Sequence, residues 1–161
     1  MTEPEIKHLT EKKLTGKNIV MSLSNNRTVE LWKSFMPHRR EIRNTVSSEL
    51  FSVQVYDSSL DFSTFSPTTT FKKWAAVEVS GFGPIPENME TLILPSGLYA
   101  VFLYKGDPRE FSATFRYIFG DWLPNSEYEL DNRPHFEIMG EKYKNDSPDS
   151  EEEIWIPVKK K

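Results

Sequence analysis

Two stretches of the chain repeat hydrophobic residues at helical spacing. In NRTVELWKSFMPHRREI (26–42), Val29, Trp32, Phe35 and Met36 fall on one face, with Asn26 placed as an N-cap. Pro37 lacks a backbone N–H and crowds the preceding turn, so a kink or an irregular turn is expected there. In GDPREFSATFRYIFGDW (106–122), Asp107 reads as the cap, Pro108 as the first helical position and Glu110 as the partner closing a capping box. Phe111, Phe115, Ile118, Phe119 and Trp122 then form the apolar stripe. The pattern predicts helices near 27–43 and 108–122, the second ending before Pro124.

Alternating runs surround both helices. LTGKNIVMSL (14–23) leads into the first and PSGLYAVFLY (95–104) into the second. Gly16 and Gly97 take equivalent places in this reading, as do the caps Asn26 and Asp107. LFSVQVYD (50–57) and FKKWAAVEVS (71–80) follow the first helix; PHFEIMGEKY (134–143) and EEIWIPVK (152–159) follow the second. Further strands near Ile6–Leu9 and Thr91–Leu94 open each half. The order is β-α-β-β, twice. Two such halves predict an α+β fold with pseudo-two-fold symmetry and an antiparallel sheet. Neither half carries enough strands to be stable alone. The expectation is one domain over 1–161, with a first repeat at about 5–80, a Gly/Pro-rich connector at 81–88 and a second repeat at about 89–159. The loop SSLDFSTFSPTTT (58–70) reads either as a lid carrying Phe62 and Phe65 or as disorder, and KNDSPDSEEE (144–153) reads as a solvated acidic turn.

Composition narrows the classes. With 11 Phe, 6 Tyr and 4 Trp in 161 residues, some rings are expected to line something other than the core. The net charge of −4 and scattered basic residues argue against a nucleic-acid partner. The absence of Cys removes thiol nucleophiles and disulfides, and His8, His38 and His135 lack metal-ligand spacing, so no metal or cofactor is expected. The charged N-terminus has no apolar signal segment and no run is long enough for a membrane span, which points to a cytoplasmic protein.

The stretch RPHFEIMG (133–140) holds the main candidate. Alternation sends Phe136 and Ile138 to one face, and His135, Glu137 and Met139 to the other. A carboxylate there either faces water or serves a pocket, and the strand pattern by itself favours water. Trp155 points opposite to Ile154, Ile156 and Val158, and Trp74 opposite to Ala75, Val77 and Val79; by pattern alone Trp155 reads as a surface or edge residue, and Trp74 likewise looks away from the apolar face. Tyr99 reads as wall or core. Phe115 and Trp122 sit on the helix stripe, and Glu78 reads as a solvated strand residue. No Ser in the chain has nucleophile-elbow context, and GFGP (81–84) does not lead into a helix as a phosphate loop would.

WAAVEVSGFGPIPENMETLILPSGLYAVFLYKGDP (74–108), LDNRPHFEIM (130–139) and EEEIWIPVK (151–159) resemble the GyrI-like small-molecule-binding family, the effector-binding domain type of AraC-type and MerR-type bacterial regulators. The resemblance spans nearly the whole chain. It implies duplicated β-α-β-β (SHS2-like) halves with a groove between them that takes bulky hydrophobic, aromatic, often cationic compounds, a multidrug-type specificity. It implies that Glu137 is the buried central carboxylate and that Trp155 faces the groove, with Tyr99, Trp74, Phe115 and Trp122 as further ligand-binding candidates. Some members hydrolyse cyclopropane-containing toxins with that Glu, which would make Glu137 catalytic, and one type inhibits DNA gyrase through a protein interaction. No helix-turn-helix segment precedes the domain, so a stand-alone copy without direct DNA reading is expected.

Overall fold

The structure, a computed structural model, describes residues 3–107, 110–144 and 147–161. Nine strands form: β1 (Glu5–Leu9), β2 (Lys12–Met21), β3 (Leu50–Val55), β4 (Phe71–Val79), β5 (Glu90–Leu94), β6 (Gly97–Lys105), β7 (Tyr128–Leu130), β8 (His135–Met139) and β9 (Glu151–Lys160). Eight of them follow the alternating runs of the sequence. The short β7, paired with the end of β9, had no such signal.

The helices are shorter and less regular than their patterns. Helix α1 (Thr28–Phe35) gives way at Met36 to 3-10 turns over Met36–Glu41, where Pro37 sits. Asn26 Oδ1 accepts from the Thr28 N–H at 3.0 Å, one residue before the geometric cap Arg27. Helix α2 (Ser112–Tyr117) has no side-chain cap at Phe111, and the expected first position, Pro108, lies outside the described residues. Helical backbone continues through a wide π-type turn, Ile118–Trp122, into Leu123–Asn125. It therefore passes Pro124 instead of ending before it. The wide turn makes room where the proline ring and its missing N–H would break a regular α-turn.

Every strand pairing is antiparallel, and the sheet runs β1-β6-β9-β8-β3-β4-β2-β5. This path has a geometric consequence. β1 lies at one end and β2 next to the other, yet only Thr10 and Glu11 join them. Pro95 and Ser96 similarly join β5, at the far end, to β6. Three Cα steps span at most about 11 Å. The sheet must curl until its ends approach, and it forms a half-barrel. Pairing also sets Gly97 opposite Leu9 and Lys12 opposite Leu94. Topologically Gly97 therefore matches Lys12, and Gly16, in mid-strand, does not match it.

Curling creates an interior and an exterior. The interior holds Leu9, Leu14, Phe51, Val53, Trp74, Ala76, Leu94, Tyr99, Val101, Phe136, Ile138 and Trp155. Among the described residues no helix covers this face. The exterior is covered in two patches. Leu31 and Phe35 of α1 pack on Ala75, Val77 and Val79 of β4. Ile118 packs on Ala100, Phe102, Ile154, Ile156 and Val158 of β6 and β9.

Candidate functional site

Between the two helix-covered patches, the exterior face over β3 and β8 changes character. Beside Met139 of β8, its buried side chains include a polar set: Ser52 and Gln54 of β3, Lys73 of β4, His135 and Glu137 of β8, and Glu152 of β9. Register explains the grouping. Gln54 stands opposite both Lys73 and His135, and Ser52 opposite both Glu137 and Ala75. Ser52 and Ala75 are small, so the lateral neighbours of Glu137 on that side leave it room. Glu137 faces Ile154 across β9, which puts Glu152 at the diagonal position on the same face.

Glu137, Glu152 and Lys73 are each only 8 % exposed. Gln54 Nε2 donates to Glu137 Oε1 at 3.3 Å. Burial raises the Glu137 pKa, against the attraction of Lys73 and the Gln54 hydrogen bond. Burial and the nearby Glu137 charge push Glu152 up to about 7, with Lys73 opposing. Burial lowers the Lys73 pKa, while Glu137 and Glu152 pull it back. The three groups feel one another. Yet among the described residues no hydrogen bond or ion pair engages the side chain of either Lys73 or Glu152.

Aromatic rings surround this polar centre. Tyr104, opposite Glu152 across the β6–β9 pairing, meets Phe111 at 4.8 Å. Phe111 meets Phe115 at 4.5 Å, Phe115 stacks on Phe119 at 6.1 Å, and Phe119 stacks on His135 at 6.2 Å. His135 stacks in turn on Phe62 at 5.6 Å, and Phe62 on Phe65 at 5.9 Å. Tyr56 contacts Phe62, Phe65, Phe71 and His135, all within 5.9 Å. The 58–70 loop thus packs Phe62 and Phe65 against Tyr56, with Phe62 also on His135, around a 3-10 turn at Phe62–Thr64. Burial among these rings lowers the His135 pKa to about 3, so it is neutral at ordinary pH. Burial and the nearby acids push Tyr143 up to about 12.

The sequence-based site residues divide between the two faces. Glu137 lies on the polar strip over β3 and β8, buried rather than solvent-facing. Phe115 belongs to the aromatic arc and is 37 % exposed. Trp122 packs edge-on against Phe102 at 5.2 Å, under α2. Trp155, Tyr99 and Trp74 are not brought to Glu137; all three point into the half-barrel. Trp155 pairs across the strands with Phe136, and a residue directly opposite Phe136 cannot share a face with Glu137. Tyr99 packs on both rings and donates its hydroxyl to the Pro134 carbonyl at 2.8 Å. Sequence reasoning missed Lys73, Glu152, Gln54 and Tyr56. Glu152 had been assigned to a solvated acidic turn, but Ser150 and Glu152 are buried; Asn145 and Asp146 of that turn lie outside the described residues. Glu78 is half-buried and pairs with Lys12 at 3.3 Å.

The model of the GyrI-like small molecule binding domain matches residues 2–159. The chain belongs to the GyrI-like family. No curated protein sequence matches it. Solved GyrI-like structures share its fold. The structure of SAV2435 bound to tetraphenylphosphonium superposes with a TM-score of 0.70 at 17% identity, covering 98% of this chain and 94% of that one. The EcmrR C-terminal domain gives 0.72 at 18% identity, covering 99% and 98%. A hydrolase encoded by lin2189 from Listeria innocua gives 0.60 at 9% identity, covering 98% and 92%. Among the described residues no helix is long and apolar enough to cross a membrane, and no group of three acidic or His side chains is placed to hold a metal ion.

Proposed function

We propose that this GyrI-like domain captures bulky hydrophobic, aromatic compounds bearing a cationic group, in the groove between α1 and α2, with Glu137 at its floor. The observation that carries this reading is the buried pair Glu137 and Glu152 set beneath a continuous arc of aromatic rings. Ring faces attract cations, and a carboxylate in an apolar wall gains from a counter-charge. The structural neighbour SAV2435 is described bound to tetraphenylphosphonium, a guest of this chemistry. The groove straddles the β3–β8 seam, where two β-β-α-β-β units would meet if the chain is a duplication. Titration with tetraphenylphosphonium tests the reading: saturable one-site binding supports it, and the absence of binding at millimolar guest opposes it.

A second reading is hydrolysis of a reactive electrophile in the same groove. One observation favours it. Glu152, held at a pKa of about 7 beside Glu137, can exchange a proton near neutral pH, as a general acid–base must. A neighbour of this fold carries the name hydrolase. Product formation from a strained electrophile, lost in Glu152→Gln and Glu137→Gln, separates this reading from pure capture.

A further inference from the structure

The groove holds a feature that capture of a simple cation does not use. Lys73 projects from β4 onto the same polar strip as Glu137 and Glu152, and it is as deeply buried as they are. A buried ammonium is normally paired, because removing it from water is costly. Here neither Lys73 nor Glu152 has a hydrogen-bond or ion-pair partner among the described residues, although each lies within electrostatic reach of the other. Glu137 differs, since Gln54 already satisfies one of its oxygens. Neither polar tip is sealed from solvent, since among the described residues the fully buried side-chain polar atoms without a partner are Trp74 Nε1 and Arg133 Nη1; two opposite charges on largely buried side chains therefore open onto the same strip without pairing with each other.

We propose that Lys73 is a second anchor of the groove, which takes an anionic or strongly accepting group of the guest while Glu152, beside Glu137, takes its cationic end. The guest class is then a zwitterionic compound with an aromatic or hydrophobic body, and Lys73 discriminates against guests that carry only positive charge. Position supports the division of roles. Lys73 lies on β4, toward α1, and Glu152 lies on β9, toward the aromatic arc of α2. A guest spanning β3 and β8 reaches both. A permanently cationic guest competes with Lys73 for the same two carboxylates and offers Lys73 no partner in return. A zwitterion satisfies both ends at once, and charge-assisted hydrogen bonds are the stronger kind.

This inference rests on the groove being the binding site, and the test separates the two. Butyltriphenylphosphonium and (4-carboxybutyl)triphenylphosphonium share a body and a cation; only the second carries a carboxylate. Calorimetric titrations at pH 8 compare them on the wild-type chain, on Lys73→Met and on Lys73→Gln. The expected result is roughly tenfold or greater preference of the wild-type chain for the carboxylate compound, as a charge-assisted contact provides. Both Lys73 variants should lose that preference and bind the butyl compound more tightly than wild type does. Binding of both compounds to wild type with no preference, or a preference that survives in the variants, overturns the role of Lys73 and leaves the groove intact. Failure of wild type to bind either compound overturns the groove and the inference together. The wild-type comparison decides the matter even if the variants fold poorly.

Discussion

Trp155 stands directly across the β8–β9 pairing from Phe136 and stacks on it, with centroids 5.3 Å apart and planes 15° apart. That stack turns the indole into the half-barrel and away from Glu137, whose own partner is Ile154. The chain thus keeps two aromatic populations. One is packed inside the curl; the other lies on the outer face around the buried Glu137 and His135, where the binding groove is proposed.

Trp155→Ala is expected to lower stability by about 3–5 kcal/mol, the range for truncating a buried large ring. Phe119→Ala removes a half-buried ring that stacks on His135 and should weaken aromatic guests more than it weakens the fold. Urea denaturation and guest titration on both variants check this. A guest-binding loss in Trp155→Ala without a stability loss would reverse the assignment of the two faces.

Arg133 ties the interior to the end of the sheet. Its guanidinium lies 4.7 Å from the Tyr99 ring centroid, donates to the Leu98 and Val158 carbonyls at 2.7 and 3.2 Å, and pairs with Asp131 at 3.1 Å. Arg133→Ala should destabilise the chain by roughly 2–4 kcal/mol, because two part-buried carbonyls and a carboxylate lose their donor. Gly97, at φ +153°, leaves the space this side chain occupies: a Cβ there would sit 2.4 Å from Nη1. Thermal melts of Arg133→Ala and Gly97→Ala should both fall well below wild type.

Gly16 has a different reason to be glycine. A Cβ at this position would lie 2.0 Å from the Ala75 carbonyl oxygen and 2.6 Å from Ala76 Cα, both backbone atoms across the β2–β4 pairing. Backbone in mid-sheet has little freedom to withdraw. Gly16→Ala should cost at least about 1–3 kcal/mol, as overpacking does, read as a fall in the denaturation midpoint.

The order of strands and helices was legible in the sequence because alternation and helical spacing are local signals. The faces were not. Whether Trp155 or Ile154 shares a side with Glu137 follows from register, but which side becomes the interior depends on the curl. The curl depends on two-residue links between opposite ends of the sheet, at Thr10–Glu11 and Pro95–Ser96. Lys73 and Glu152 were hidden for a related reason: charged residues near strand ends read as solvated, and only the assembled seam buries them. Glu137 was singled out only through family resemblance; its strand pattern alone pointed to solvent, whereas the side chain is buried.

Glu152 makes stability depend on pH in a stated direction. Its folded pKa of about 7 lies above the ordinary value of 4.5. Between those values the folded chain holds a proton that the unfolded chain has released, so this group favours the fold below about pH 4.5 and loses that contribution as pH rises through about 7. Glu152→Gln removes the dependence. Its stability relative to wild type should rise by roughly 1–3 kcal/mol between pH 5 and pH 8, measured by chemical denaturation at both values. An unchanged difference would mean that Glu152 is solvated.

The most direct measurement is the affinity of tetraphenylphosphonium for wild type and for Glu137→Gln, by calorimetry at pH 8. The substitution keeps the size of the side chain and its contact with Gln54 while removing the charge at the groove floor. Wild type should bind with saturable one-site behaviour, and Glu137→Gln should lose about 1–3 kcal/mol of binding, as when one partner of a charge-assisted contact is neutralised. Equal affinity in the two proteins would contradict the account, because Glu137 would then not be the counter-charge of a cationic guest.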